Sequence, residues 1–255
     1  MRNARLLGLG FLFHFKMLSR SGFNGLLAIV YPLFFATVAF FLFREGSPHA
    51  LLYASLGASV MGVWSATSTS AGSALQRERW HGTLELLVAA PTHFSLVMLP
   101  ITIAMSAVGI YSMAATLIWG RVLFGIDLHI AHPVSFVLAV PVTVISIGMF
   151  GFLIAVAFVR YRTAWALGNL LEYPVWLICG FLVPLTLFPS WVQPISWILA
   201  PTWGMRGIRQ SALGGTPIPD IAICAGLGLA YTAIGVLLVD HLLRSARENA
   251  TLALT

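Results

Sequence analysis

The segment 127–133, DLHIAHP, brings together a carboxylate and two imidazoles, which are common ligands of Zn²⁺. However, the spacing of Asp127, His129 and His132 differs from established metal motifs such as H-E-x-x-H. The sequence also has no G-x-S-x-G motif, and its acidic residues are too few and scattered for a paired-carboxylate site. An ordinary loop is therefore favoured over a metal-dependent enzyme, and we predict no metal site and no catalytic residue.

Nucleotide binding through a P-loop is also excluded. Such a loop is rich in glycine and ends in a lysine followed by serine or threonine. The only lysine of the chain is Lys16, in the sequence FKM, and no glycine-rich loop precedes it. The chain therefore cannot bind ATP in this way. If ATP drives its activity, another polypeptide must supply the site.

The composition indicates a protein that faces lipid. Of the 255 residues, 59% are hydrophobic and only 9% are charged, and the mean hydropathy is +0.92. A soluble domain is about half apolar and a quarter charged. The net charge of +6 comes from dispersed arginines, which favours residues that fix membrane topology over a nucleic-acid interface. Cys179 and Cys224 lie in apolar runs, so we predict buried thiols and no disulfide.

Six segments are long and apolar enough to cross a membrane, which requires about 20 residues as a helix. We therefore predict an all-α integral membrane protein in which residues 1–255 form a single transmembrane domain. Residues 1–23 are predicted to form a helix in the membrane interface, with its basic residues toward the headgroups and no cleaved signal peptide. The predicted spans are residues 24–43, 50–75, 95–119, 133–159, 163–188 and 218–243.

The distribution of basic residues predicts the orientation. The N-terminus, the C-terminus and every second connection between spans lie on the same side of the membrane. These segments hold most of the arginines: those before residue 21, at 77 and 79, at 160 and 162, and after residue 243. Basic residues are retained in the cytoplasm. Both termini and the segment between spans two and three are therefore predicted to be cytoplasmic, in a multi-pass protein of the plasma membrane.

The second predicted span carries small residues at every fourth position. This spacing places them on one ridge of a helix, where another backbone can approach closely. Packing within the chain, an interface with another subunit and the wall of a polar path are all compatible with this ridge. The residues are Ala54, Ala58, Gly62, Ala66, Ser70 and Ala74.

The fifth predicted span contains Glu172, the only acidic residue well inside a span. A carboxylate near the middle of a bilayer must be paired, hydrated or protonated. Glu172 is therefore a candidate for a transport path, or else a polar contact that locks helices together.

The segment 77–91, RERWHGTLELLVAAP, concentrates charge in an otherwise apolar chain. We predict a short cytoplasmic helix within residues 76–91, started by Gly82 and Thr83 and ended by Pro91. Glu85 in its first turn suits the positive end of the helix dipole. A solvated loop would explain the arginines. It would not explain the acidic residues or the apolar face formed by Leu84, Leu87 and Val88.

This segment closely resembles the cytoplasmic signature of ABC-2-type transporter permeases, roughly E-R-x-x-G-T-L-E-x-L-x-x-x-P. In that family the segment is a coupling helix that docks into a groove of the ATPase subunit. Trp80 and His81 occupy variable positions, so no role carries over to them. The resemblance assigns ATPase coupling to Glu78, Arg79, Gly82, Thr83, Leu84, Glu85 and Leu87.

A second resemblance to the same family covers residues 180–215. In the family this region forms short helices that dip into the outer leaflet, and here we predict them within residues 189–215. One departure is Ala200, where the family has asparagine before the second proline. Tryptophans are also typical of any interfacial helix. The residues assigned to the outer helices are Pro189, Trp191, Pro201, Trp203 and Arg206, and Pro184 and Gly215 also match.

The resemblance implies the membrane half of an ABC exporter: two permease chains, identical or different, with two ATPase subunits that bind ATP and Mg²⁺. The expected cargo is a hydrophobic or amphipathic solute such as a drug, an antibiotic or a lipid-like molecule. A haem or lipid exporter, or a membrane anchor or sensor that transports nothing, is the alternative. In the family the path is lined largely by spans one, two and five, which implies path or interface roles for Ala58, Gly62, Ala66, Ser70 and Glu172.

Overall fold

The computed structural model describes residues 2–20, 22–43, 48–80, 93–157 and 164–248. In this part of the chain every regular element is helical, as predicted, with one 3-10 turn at Leu185–Leu187. The α-helices are α1 (Arg2–Arg20), α2 (Gly22–Phe43), α3 (Pro48–Trp80), α4 (Ser95–Phe124), α5 (Pro133–Ala157), α6 (Ala164–Ile178), α7 (Val192–Trp197), α8 (Ala200–Leu213) and α9 (Pro217–Glu248).

Four helical segments of the described residues are long and apolar enough to cross a membrane: Ala50–Ser68, Ser95–Phe124, Pro133–Ala157 and Pro217–His241. They belong to α3, α4, α5 and α9, and they make the chain a multi-pass membrane protein. The apolar segment Pro32–Phe41 of α2 is shorter. The count of six spans therefore stays a prediction that depends on α2 and α6.

Helix α6 ends at Ile178, well before the predicted end of the fifth span at residue 188. Its 15 residues extend about 22 Å, which is less than the hydrocarbon core of about 30 Å. The helix is stopped by Gly180, whose φ of 69° is left-handed. The amide of Gly180 bonds to the carbonyl of Leu177, and the amide of Phe181 bonds to that of Trp176. This pattern is a Schellman motif, which closes a helix at a glycine.

Helix α3 lies at the centre of the bundle, in contact with α2, α4, α5, α6 and α8. Its Trp64 is fully buried and stacks on Phe150 of α5, with ring centroids 5.5 Å apart. Gly109 of α4 lies so close to α3 that an added Cβ would come within 2.5 Å of the Cα of Val63. The close approach of α3 and α4 thus depends on small residues.

Helix α1 packs along α4, while its Leu9 and Phe13 remain exposed. The ring of Phe15 lies 6.0 Å from that of Tyr111, and Gly10 allows Pro100 to approach. Since one face of α1 contacts the bundle and apolar side chains cover another, the geometry suits the predicted interfacial position.

Candidate functional site

The small-residue ridge of α3 contains one glycine, Gly62, and at this position the ridge packs against other helices of the same chain. A Cβ added to Gly62 would lie 2.0 Å from Oγ of Ser112 in α4 and 3.1 Å from the ring of Pro32 in α2. Ala54 and Ala58 are buried and Ala66 is half-buried. The side chains of Ser70 and Ala74 lie outside the described residues. Gly62 is therefore packed within the chain, and the path or interface role of the ridge stays a prediction.

Glu172 faces the interior of the chain, with only 4% of its surface exposed. Its Oε1 accepts a hydrogen bond from the hydroxyl of Ser65 in α3, at 2.5 Å. The opposite face of α6 is exposed through Leu170, Tyr173 and Leu177. Glu172 thus joins α6 to α3 instead of pointing out from the exposed face, and Ser65 provides a donor that a buried carboxyl requires.

The contact of Glu172 with Ser65 predicts an ordered series of stabilities. Glu172→Gln keeps an acceptor oxygen and should change the free energy of unfolding by less than about 1 kcal/mol. Glu172→Leu removes the acceptor and should cost about 1–3 kcal/mol. Adding Ser65→Ala to Glu172→Leu should then cost much less than Ser65→Ala does alone. Unfolding in mixed detergent micelles measures all four variants.

Two results would separate the roles left open for Glu172. If Glu172→Leu were as stable as the natural chain, the contact would not hold the helices together. If Glu172→Gln kept its stability but lost transport of cationic solutes only, the residue would belong to a path for those solutes.

The predicted outer helices correspond to α7 and α8, which follow the end of α6. Pro201 is in the first turn of α8, where the missing amide of proline costs no helical hydrogen bond. Trp203 donates its indole N–H to the carbonyl of Trp197 at 2.8 Å, and the guanidinium of Arg206 lies 4.8 Å from the Trp203 ring centroid. Arg206 also approaches a carboxylate oxygen of the buried Asp220 at 3.5 Å. Pro189 and Trp191 are exposed.

The junctions at both ends of α8 are held by other parts of the chain. The hydroxyl of Tyr231 in α9 donates to the carbonyl of Ile198 and accepts from the amide of Ala200. At the other end, the amides of Ala131 and His132 bond to the carbonyls of Ala212 and Ser211. Buried backbone groups at the end of a helix require such partners. No pattern in the sequence indicates this role of Tyr231.

Arg209 of α8 is a further residue that the sequence motifs do not single out. It is 8% exposed, and its guanidinium donates to the carbonyls of Gly180 and Phe181, just beyond the end of α6. A signal was present in the sequence, because Arg209 lies at helical spacing with the apolar Met205, Ile208 and Ala212. All three are buried. An arginine within such a stripe is predicted to be buried with its own acceptors.

The segment 127–133 does not assemble a metal site in the structure. Asp127 forms an exposed ion pair with Arg121 at 3.0 Å, and His129 and His132 are exposed. Within the described ranges, no group of three His, Cys, Asp or Glu side chains is arranged to hold a metal ion. Both cysteines are buried free thiols.

The predicted coupling helix, residues 76–91, lies mostly outside the described residues. Residues 76–80 form the end of α3, which continues to Trp80, so a separate helix does not begin at residue 76. The side chains of Glu78 and Arg79 and the whole of residues 81–92 are not described. The coupling role therefore stays a prediction for Glu78, Arg79, Gly82, Thr83, Leu84, Glu85 and Leu87.

Comparison with known proteins confirms the family that the sequence resembles. The chain is 23% identical over 178 residues to the linearmycin resistance permease protein LnrN of Bacillus subtilis (strain 168). The alignment covers 70% of this chain and 46% of LnrN, so the chain spans about half the length of this relative. Residues 10–213, from α1 to the end of α8, match the family model of the ABC-2 type transporter. The chain belongs to the ABC-2 type transporter family.

Proposed function

We propose that this chain is the permease subunit of an ATP-driven exporter. The observation that carries the proposal is the family match over residues 10–213, which includes the complete signature at residues 78–91. The four helical segments that are long enough to cross a membrane support this proposal, because a permease must span the bilayer. In this proposal six spans cross the plasma membrane, with α2 and α6 as the first and fifth, and both termini are cytoplasmic.

The energy for transport comes from a separate ATPase subunit. The chain has a single lysine, Lys16, outside any P-loop sequence, so ATP and Mg²⁺ are bound by the partner. Two ATPase chains move together when they bind ATP, and the coupling helix around Glu85 transmits this movement to the transmembrane spans. Two permease chains, identical or different, form the path.

The proposed cargo is a hydrophobic or amphipathic molecule, with an antibiotic or another drug as the first choice. Among the residues that the resemblance places near the path, Ser70 adds a hydroxyl and Glu172 adds one acidic group. The name of the relative, a linearmycin resistance permease, adds support for an antibiotic. Export of haem or of a lipid, and a subunit that transports nothing, are the competing functions.

The function is tested by export from intact cells that produce the chain with its ATPase. We expect cells with both chains to expel amphipathic dyes and to survive higher antibiotic concentrations than cells with either chain alone. A partner whose P-loop lysine is replaced by alanine is the control and should give no export. Export of haem or lipid without drug export would select the first competing function. No export of any solute would contradict the proposal.

A further inference from the structure

The end of α6 creates a local problem of backbone hydrogen bonding. Beyond Ile178 the chain turns through Gly180, and the amides of Gly180 and Phe181 bond back to the last turn of the helix. The carbonyls of Gly180 and Phe181 have left the helical pattern, and both residues are buried. Bare carbonyls in apolar surroundings are costly, so each requires a donor from elsewhere in the protein.

Arg209 supplies these donors from α8. Its Nη1 donates to the carbonyl of Gly180 at 2.7 Å, and its Nη2 donates to the carbonyl of Phe181. Nη2 also lies 3.3 Å from the carbonyl oxygen of Tyr53 in α3. The guanidinium carbon stands 3.3 Å from the centroid of the Tyr53 ring, so the cation also contacts an aromatic face. One side chain thereby joins α8, α3 and the chain beyond α6.

The approach of these groups depends on Gly57 of α3. A Cβ added to Gly57 would lie 1.7 Å from the carbonyl oxygen of Phe181 and 2.7 Å from Nη2 of Arg209. The carbonyl of Phe181 therefore occupies a space between the backbone of α3 and the guanidinium. We name the contact formed by Tyr53, Gly57, Gly180, Phe181 and Arg209 the arginine clamp.

The charge of the clamp persists at neutral pH. Burial lowers the pKa of Arg209 to about 10 by removing water from the guanidinium, and the contact with Tyr53 opposes this shift. Since this pKa lies well above 7, the group stays protonated. The contacts of Arg209 in the described part of the chain are with the carbonyl oxygens of Gly180, Phe181 and Tyr53 and with the Tyr53 ring.

We propose that Arg209 is a positioning residue for transport, which holds the interrupted end of α6 against α3 so that the two helices move together. This proposal rests on the proposed function, in which α3 and α6 are the second and fifth spans. The hydrogen bond of Ser65 to Glu172 joins the same helices at a second level, about 18 Å from Tyr53 along α3. With both contacts in place, movement of α3 driven by ATP is passed to α6. Without the arginine clamp, α3 moves but the end of α6 does not follow it.

The first test measures the clamp itself and does not depend on transport. Cys179 precedes Gly180 and is 2% exposed, so its labelling by a maleimide reports opening at this point. The measurement uses the purified chain in detergent with Cys224→Ala, which leaves one thiol. We expect Arg209→Gln to accelerate labelling about tenfold or more, because buried carbonyls lose charged donors. Arg209→Lys should not restore the slow rate, since an ammonium cannot reproduce the planar fork of donors.

Arg121→Gln is the control, because Arg121 of α4 is exposed and its ion-pair partner, Asp127, is exposed as well. Its labelling rate should stay within about twofold of the natural chain. Tyr53→Leu removes the aromatic contact and keeps the three carbonyl acceptors, so it should give a smaller acceleration even if Arg209→Gln folds poorly. Equal labelling rates in all of these variants would overturn the clamp.

The second test separates positioning from simple stability. With the ATPase present in proteoliposomes, we expect Arg209→Gln to retain most of the ATP turnover but to export about tenfold less dye per ATP hydrolysed. Faster labelling with an unchanged ratio of export to ATP turnover would overturn the positioning role. If the natural chain neither raises ATP turnover nor exports dye, the proposed function fails, and the labelling result still decides whether the clamp exists.

Discussion

Glu85→Lys is expected to abolish the stimulation of the partner ATPase while the chain still enters the membrane. Glu85 occupies the second acidic position of the E-R-x-x-G-T-L-E signature, in the segment that we propose to be the coupling helix. Reversing a charge at a protein interface places like charges together and removes a favourable pair, which typically costs several kcal/mol. We therefore expect at least a roughly tenfold loss of stimulated ATP turnover in proteoliposomes.

Asp127→Lys is the control for Glu85→Lys because it makes the same change of charge. Asp127 is exposed and pairs with Arg121 in the loop between α4 and α5, which we place on the opposite side of the membrane. Its replacement should leave ATP turnover nearly unchanged. If Glu85→Lys stimulated the ATPase as well as the natural chain, the coupling role of the segment would be wrong.

Gly57→Ala is expected to destabilise the chain strongly. The new Cβ would lie 1.7 Å from a backbone oxygen, that of Phe181, which cannot rotate away as a side chain can. Helix α3 and the chain beyond α6 would have to separate. We expect a loss of about 3 kcal/mol in the free energy of unfolding, at the upper end of the range for overpacked cores.

Gly226→Ala is the matched control for Gly57→Ala, since a Cβ at Gly226 in α9 meets nothing within 4 Å. Its effect should stay within about 1 kcal/mol, in the direction of the higher helical propensity of alanine. Unfolding in mixed detergent micelles compares the two variants with the natural chain. Equal stability of Gly57→Ala and Gly226→Ala would contradict the close contact of Gly57 with Phe181.

The apolar helices were predictable from the sequence where they form uninterrupted runs. The predicted spans 95–119 and 133–159 lie largely within α4 and α5, because prolines, arginines and polar residues mark where these runs begin or end. The predicted end of the fifth span at residue 188 differs from the end of α6 at Ile178. Hydropathy continues through residues 179–188, whereas the left-handed backbone of Gly180 stops the helix.

The contacts of the candidate site were less predictable because their partners are distant in the sequence. The sequence predicts that Glu172, an acid inside a span, is paired, hydrated or protonated, but its donor, Ser65, lies on another helix. Similarly, the resemblance drew attention to Arg206, which is half-exposed, while the buried Arg209 makes the contacts beyond α6. Composition and periodicity identify which residues are out of place in an apolar helix. They do not identify which carbonyl or hydroxyl will meet them.

The most direct measurement of the central claim is ATP-dependent dye transport by proteoliposomes made from this chain and its ATPase. We predict that an amphipathic dye moves across the bilayer only when both proteins and ATP are present, and that the chain raises ATP turnover by its partner. If the ATPase hydrolysed ATP at the same rate with and without this chain, and no dye moved, this chain would not be the permease of an exporter.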